Sequence, residues 1–167
     1  IGQRIFLTSG LGAMGYGLSQ SVGISLARNN SIVFAFESDG SLMMNLQELA
    51  TIKSYDLPIK IFIMNNGGYA SIRNTQTNYF NKRFLGVDKN SGLLIPSFEK
   101  IASAFEIDYH RIETLFGLRE SFERDIHKNN SIIFDVIRQS FFDGIYENVF
   151  FPMNLIKICW RHSAKFL

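Results

Sequence analysis

A chain of 167 residues, 46% hydrophobic and 19% charged, has the balance of one globular domain, large enough to bury roughly two-thirds of its unfolded surface. Seventeen Lys and Arg against fifteen Asp and Glu leave a formal charge of +2, too slight to select a nucleic acid or a membrane as partner. Cys159 is the only cysteine, which excludes an intramolecular disulfide and a multi-cysteine metal centre. With no basic-plus-apolar leader and no run of about 18 apolar residues, neither export nor membrane spanning is indicated, and a cytoplasmic setting is expected.

In chain order, the first strand-like run is Ile5 to Thr8, entered almost directly after Ile1, and we read the chain as a fragment of a longer protein. A glycine-rich loop, Gly10 to Gly17, and a first helix follow, closed by Asn29-Asn30. Ile32 to Phe36, Ile59 to Met64, Tyr109 to Ile112 and Ile132 to Ile137 are further short β-branched and aromatic runs, and they look buried on both faces, as parallel strands do. Between them lie stretches of helical spacing. Leu42, Leu46 and Leu49 fall on one face, Phe98, Ile101, Ala102 and Phe105 on another, and Leu115, Leu118, Phe122 and Ile126 on a third. Ser97 and Thr114 stand where N-caps belong.

This β-α-β-α pattern predicts a three-layer α/β/α domain with a mostly parallel sheet, helices on both faces and right-handed crossovers. We assign it residues 1–140. The tail 141–167 follows no clear period. The polar stretch from Asn78 to Pro96 is a long loop of the kind that serves as a lid or binding segment.

Two loops carry the chemistry. Ser38-Asp39-Gly40-Ser41 follows one strand and Asn65-Asn66-Gly67-Gly68 follows the next, so a carboxylate and a carboxamide can meet at the same end of a parallel sheet, where such sheets bind ligands. Magnesium takes near-octahedral oxygen ligands and keeps phosphate oxygens in its shell. One carboxylate, one amide oxygen and one backbone carbonyl suit it. Gly40, Gly67 and Gly68 let backbone N–H groups approach a diphosphate, and a helix starting at about Leu42 would add its N-terminal dipole.

These residues resemble the thiamine-diphosphate fingerprint, Gly-Asp-Gly, a spacer, and Asn-Asn, with Ser38 in place of the first glycine. A Cβ at that position is cheap if the local φ is negative. The resemblance extends from about Gly2 to Ile137 and includes Thr8 to Gly17, Asn45 to Ile52 and Ile63 to Tyr69, which read like the cofactor-binding domain of acetolactate-synthase-like enzymes. It implies thiamine diphosphate and Mg2+ as cofactors, with Asp39, Asn66 and the Gly68 carbonyl as metal ligands and Asn65 structural. It implies that Gly12 accepts from the pyrimidine amino group through its carbonyl and that Met14 wedges beneath the bent cofactor. Gly40, Ser41, Tyr69, Ala70, Ser71 and Ile72 would contact the diphosphate. The reaction implied is decarboxylation of a 2-oxo acid with carboligation.

The family's activating glutamate comes from a separate pyrimidine-binding domain, absent here, so no catalytic residue is assigned and the chain alone is expected to be inactive. Full-length relatives imply a homodimer or tetramer. A simple 2-oxo acid decarboxylase is the alternative within the family. From other classes, Gly10-x-Gly12-x-x-Gly15 with Glu37 ending the next strand fits a dinucleotide-binding oxidoreductase, and a catalytically silent assembly module would keep the fold alone. His110, His127 and His162 are scattered and are assigned surface or structural roles.

Overall fold

The structure is a computed structural model and describes residues 4–7 and 10–137. The tail 141–167, with Cys159 and His162, and residues Thr8 and Ser9 lie outside it. The element order is α1 (Tyr16–Ala27), β1 (Val33–Ser38), α2 (Asp39–Leu42), a 3-10 turn (Met43–Asn45), α3 (Glu48–Ser54), β2 (Ile59–Asn65), α4 (Ala70–Tyr79), a second 3-10 turn (Lys89–Ser91), α5 (Phe98–Ala104), β3 (Asp108–Ile112), α6 (Leu115–Asp125) and β4 (Ile132–Ile137). All strand pairings are parallel, in the order β1-β2-β4-β3.

The strands sort their side chains between two cores. Ile59, Ile61 and Ile63 of β2 join Leu18 and Val22 of α1, Leu49 and Ile52 of α3, and Phe98 and Ala102 of α5 on one face. On the other, Phe62 and Phe134 meet Leu118 and Phe122 of α6. Each side chain of this size, once fully buried, contributes about 1.5–3 kcal/mol. Both faces of β2 and β4 being covered explains why these strands read as unbroken apolar runs rather than alternating ones. The register Phe36↔Phe62↔Phe134↔His110 lays a row of rings across the sheet, with centroids 5.0 Å, 4.7 Å and 5.6 Å apart in turn.

Four expectations are corrected. Residues 4–7 form no strand; Ile5 and Leu7 are exposed, and the run joins no ladder among the described residues, so apolar content alone does not make it a strand. Strand β1 begins at Val33 and continues to Ser38 because it pairs with β2 along its whole length, Val33↔Ile59 to Ser38↔Met64. The next helix therefore starts at Asp39, not Leu42, and it is broken at once by the 3-10 turn, although Leu42, Leu46 and Leu49 still pack inward. Tyr69 to Ile72, read from the sequence as the turn after the Asn65-Asn66 loop, instead lead into the helix α4, which buries none of its side chains and so has no apolar stripe for a pattern to reveal.

Helix ends follow their sequence signals elsewhere. Ser97 accepts from the Lys100 N–H at 3.3 Å and Thr114 from the Gly117 N–H at 3.0 Å, each capping one orphan donor. Asn29 and Asn30 both take positive φ, tolerable for asparagine, and end α1. Among the described residues no helix is long and apolar enough to cross a membrane.

Candidate functional site

Strands β1 and β2 are neighbours in register, so the loops that follow them leave the sheet side by side at its C-terminal edge. Ser38 ends β1 in an extended conformation, φ −85°, where a Cβ is unstrained. Its side chain caps α2 by accepting from the Ser41 N–H at 3.3 Å. The serine that departs from the family pattern thus fits its position, and it adds a cap that glycine would lack.

Asp39 is fully buried. Its Oδ1 accepts from the Gly40 N–H at 2.9 Å, and its Oδ2 accepts from the Gly68 N–H at 2.7 Å across the two loops. Burial pushes its carboxyl above the ordinary carboxylate range, against the lowering effect of N–H groups from Gly68, Gly40, Gly67 and Asn66. No side-chain cation stands among these influences. A carboxylate in that state is stabilised by any cation that reaches it.

Glycine is required at two places around this acid. A Cβ on Gly40 would lie 2.4 Å from the Tyr69 ring, and one on Gly68 would lie 2.2 Å from the Val87 carbonyl oxygen while φ there is +128°. At Gly68 the loop therefore packs against the Val87 segment as closely as a glycine alone permits. Asn65, beside it, donates from Nδ2 to Asp135 at 3.0 Å and accepts from the Gly67 N–H at 3.3 Å, which ties the loop to β4. Asn66 turns its Oδ1 to the Arg73 guanidinium at 3.1 Å.

The glycine-rich loop before α1 is stitched to the same end of the sheet. Gly15 donates its N–H to Ser41 Oγ at 2.8 Å, Asn45 Nδ2 donates to the Gly15 carbonyl at 3.1 Å, and the Ser41 hydroxyl donates to Glu37. Glu37 in turn accepts from the Leu18 N–H at 3.3 Å in the first turn of α1. Gly17 is small because a Cβ there would lie 2.6 Å from that carboxylate. Gly12, Met14, Phe36 and Ser41 share the walls of a cleft of about 290 Å³, and Met14 is 44% exposed in it.

The expected residues thus fall into three groups. Gly12, Met14 and Ser41 border the cleft, while Asp39, Gly40, Asn66, Gly68 and Tyr69 cluster at the strand tips, with Asn66 Oδ1 turned to Arg73. Ala70, Ser71 and Ile72 occupy the first turn of α4, with Ser71 and Ile72 exposed. Ser41, expected to touch a ligand, has its N–H and its hydroxyl bonded within the chain. Glu37 points to the start of α1, and no described strand precedes the glycine loop, so the elements of a dinucleotide fingerprint are not assembled. The segment after α4, read as a lid, is pinned at the buried Val87, whose carbonyl accepts from Tyr69 N and Arg73 Nη1, each at 2.9 Å. Arg73, Glu37, Asn45 and Val87 have structural parts in this region that were not read from the sequence.

Among the described residues no group of three or more His, Cys, Asp or Glu could hold a metal. A cation at Asp39 would take its other oxygens from amide, carbonyl and phosphate groups. That is the donor set a hard ion such as magnesium accepts, so the residues present fit the metal and diphosphate implied by the fingerprint.

Comparison with known proteins bears on the family and the fold. The family described as "Thiamine pyrophosphate enzyme, C-terminal TPP binding domain" matches residues 2–136. The acetolactate synthase large subunit of Cyanidium caldarium is 36% identical over 130 residues, covering 78% of this chain and 22% of that protein. Acetolactate synthase 2 of Nicotiana tabacum is 33% identical over 139 residues, 80% of this chain and 21% of that protein. The solved structure of the Rhodococcus jostii RHA1 thiamine diphosphate-dependent 4-hydroxybenzoylformate decarboxylase shares the fold, with a TM-score of 0.66 and 23% identity over 75% of this chain and 23% of that one. The chain spans about a fifth of the length of the curated relatives it matches.

Proposed function

The chain belongs to the thiamine pyrophosphate enzyme family as its C-terminal TPP-binding domain, and from that premise we propose that it holds the diphosphate and magnesium ion for an acetolactate-synthase-like enzyme acting on 2-oxo acids, by decarboxylation with carboligation. The observation that supports this most is the buried Asp39 at the tip of β1, hydrogen-bonded to the Gly68 N–H at the tip of β2. It brings the two halves of the fingerprint into one place.

Within this reading, Asp39 Oδ, Asn66 Oδ1 and the Gly68 carbonyl would hold Mg2+. Gly40 and the Tyr69 to Ile72 segment would hold the diphosphate, and the N-terminal turn of α4 would favour an anion there. Met14 would supply apolar surface to the cofactor, and the Gly12 carbonyl would accept from its pyrimidine amino group. Ser41 acts as a tie between the cleft wall and the glycine loop. Bound thiamine diphosphate supplies the nucleophilic carbon for the reaction, and the protein supplies binding and orientation. A pyrimidine-binding domain with an activating glutamate comes from elsewhere, in the same or another chain, and the 167 residues alone turn over no substrate.

Calorimetric titration tests the reading. Thiamine diphosphate with Mg2+ should bind and NAD should not, and Asp39→Ala should weaken the first by at least a hundredfold, with Asn66→Ala close behind. Preferential NAD binding, or an Asp39→Ala chain that binds like wild type, contradicts it.

A further inference from the structure

Arg73 has no part in the ligand set above, yet it makes four hydrogen bonds to the metal loop and its buttress. Nη2 donates to the Asn66 carbonyl at 2.8 Å and to Asn66 Oδ1 at 3.1 Å; Nη1 donates to the Val87 carbonyl at 2.9 Å and to the Gly67 carbonyl at 3.3 Å. A guanidinium has donors only, spread in a rigid fork. Two consequences follow from that chemistry.

The first concerns the asparagine amide. Only the oxygen of Asn66 can face a donor, so Arg73 fixes which end of the amide is turned toward the loop, and one lone pair of Oδ1 stays open for a cation. The second concerns the peptide planes. In a planar trans peptide the C=O and the following N–H point in opposite directions. Holding the Asn66 and Gly67 carbonyls on the Arg73 side therefore aims the Gly67 and Gly68 N–H groups away from it. Those are groups that bear on Asp39, Gly68 by a 2.7 Å hydrogen bond.

We propose that Arg73 is the positioning residue of the metal loop: it orients the Asn66 amide and the Asn66-Gly67 and Gly67-Gly68 peptide planes, and through Val87 it locks the loop to the segment after α4. This rests on the reading of Asp39 and Asn66 as ligands, and it extends it to a residue that touches neither metal nor cofactor.

The test uses the full 167-residue chain. Mn2+ binding in the presence of thiamine diphosphate is followed by the EPR signal of free Mn2+, for wild type, Asp39→Ala, Asn66→Ala, Arg73→Gln, Arg73→Lys and the double variant Asn66→Ala/Arg73→Gln. Arg73→Gln should weaken Mn2+ at least tenfold, Arg73→Lys should lose most of the same amount, and the double variant should lose less than the product of the two single losses, since the Asn66 Oδ1 contact is removed in both. In the metal-free chain, hydrogen exchange at the Gly68 amide should speed up at least tenfold in Arg73→Gln. Folded Arg73→Gln with wild-type Mn2+ affinity, or losses that add in the double variant, overturns the proposal. If Arg73→Gln fails to fold, Arg73→Lys decides by the same thresholds. Should wild type bind no Mn2+, or bind it equally after Asp39→Ala and Asn66→Ala, the ligand assignment fails; the Gly68 amide then still decides the role of Arg73.

Discussion

The two ends of the sheet treat a buried aspartate in opposite ways. At the C-terminal edge Asp39 is enclosed by backbone N–H groups, and burial leaves its carboxyl above the ordinary range. On the α6 side, Asp125 is just as fully buried, but His110 lies at 2.8 Å, Arg124 at 2.8 Å and Lys128 at 2.6 Å. Burial pushes that carboxyl up as well, yet the hydrogen bonds from Arg124 and Lys128 and the nearby positive charge bring it down to about 2. Asp125 is a completed ion cluster. Among the described residues no side-chain cation pairs with Asp39, and that difference is what supports reading Asp125 as structural and proposing Asp39 as a ligand.

The comparison can be broken most sharply at Gly68. Gly68→Ala places a Cβ against the Val87 carbonyl and in a left-handed backbone region, so thermal or urea unfolding should show a loss of about 3 kcal/mol or more, or a displaced loop that no longer binds cofactor. Next in size, Asp125→Ala should cost about 2–3 kcal/mol, because Arg124, Lys128 and His110 lose their shared acceptor. Asp39→Ala in the metal-free chain should fall within about 1 kcal/mol of wild type, since relief from burying the charge offsets the lost N–H bonds. Equal losses at the two positions would erase the distinction.

A pH profile sharpens the structural end further. Lys60 is fully buried and donates to the Lys128 and Asn130 carbonyls at 2.8 Å and 2.6 Å. Burial lowers its pKa from 10.5 to about 8, against the raising effect of Asp125 and Asp108. Between these values the unfolded chain binds the proton and the folded chain does not, so stability should rise with pH, by about 2 kcal/mol from pH 8 to 10. Above pH 10 Tyr109 opposes the trend. Burial and its hydrogen bond to Asp135 raise its pKa, so the folded chain keeps a proton that the unfolded one has lost. Urea denaturation across the window should show the slope in wild type and a flat line in Lys60→Met. Smallest of all, Ser38→Gly should change stability by only a few tenths of a kcal/mol; a large loss would mean that the serine does more than cap α2.

Much of this architecture was legible because its causes are local. Ile59 to Met64 and Ile132 to Ile137 announce buried parallel strands, and Ser97 and Thr114 mark helix starts by chemistry that acts within three residues. Asp39 and Asn66 were legible as a pair only through the parallel register that brings their loops together. Ile5 to Leu7 misled because a strand needs a neighbour that its own residues do not encode. Lys60 reads only as part of the strand run Ile59 to Met64, and its amine reaches carbonyls some seventy residues away. Helix α4 and Arg73 were illegible for a related reason. A polar helix anchored by one guanidinium on distant carbonyls leaves no periodicity.

The central claim is that the tips of β1 and β2 form one cation and diphosphate site around Asp39. Its most direct test is an amide NMR titration of the chain with thiamine diphosphate and Mg2+. The account predicts that the Gly40 and Gly68 amide resonances move first and farthest, and that they stay still with NAD or in Asp39→Ala. Saturable binding that shifts other residues while Gly40 and Gly68 hold their positions would contradict it.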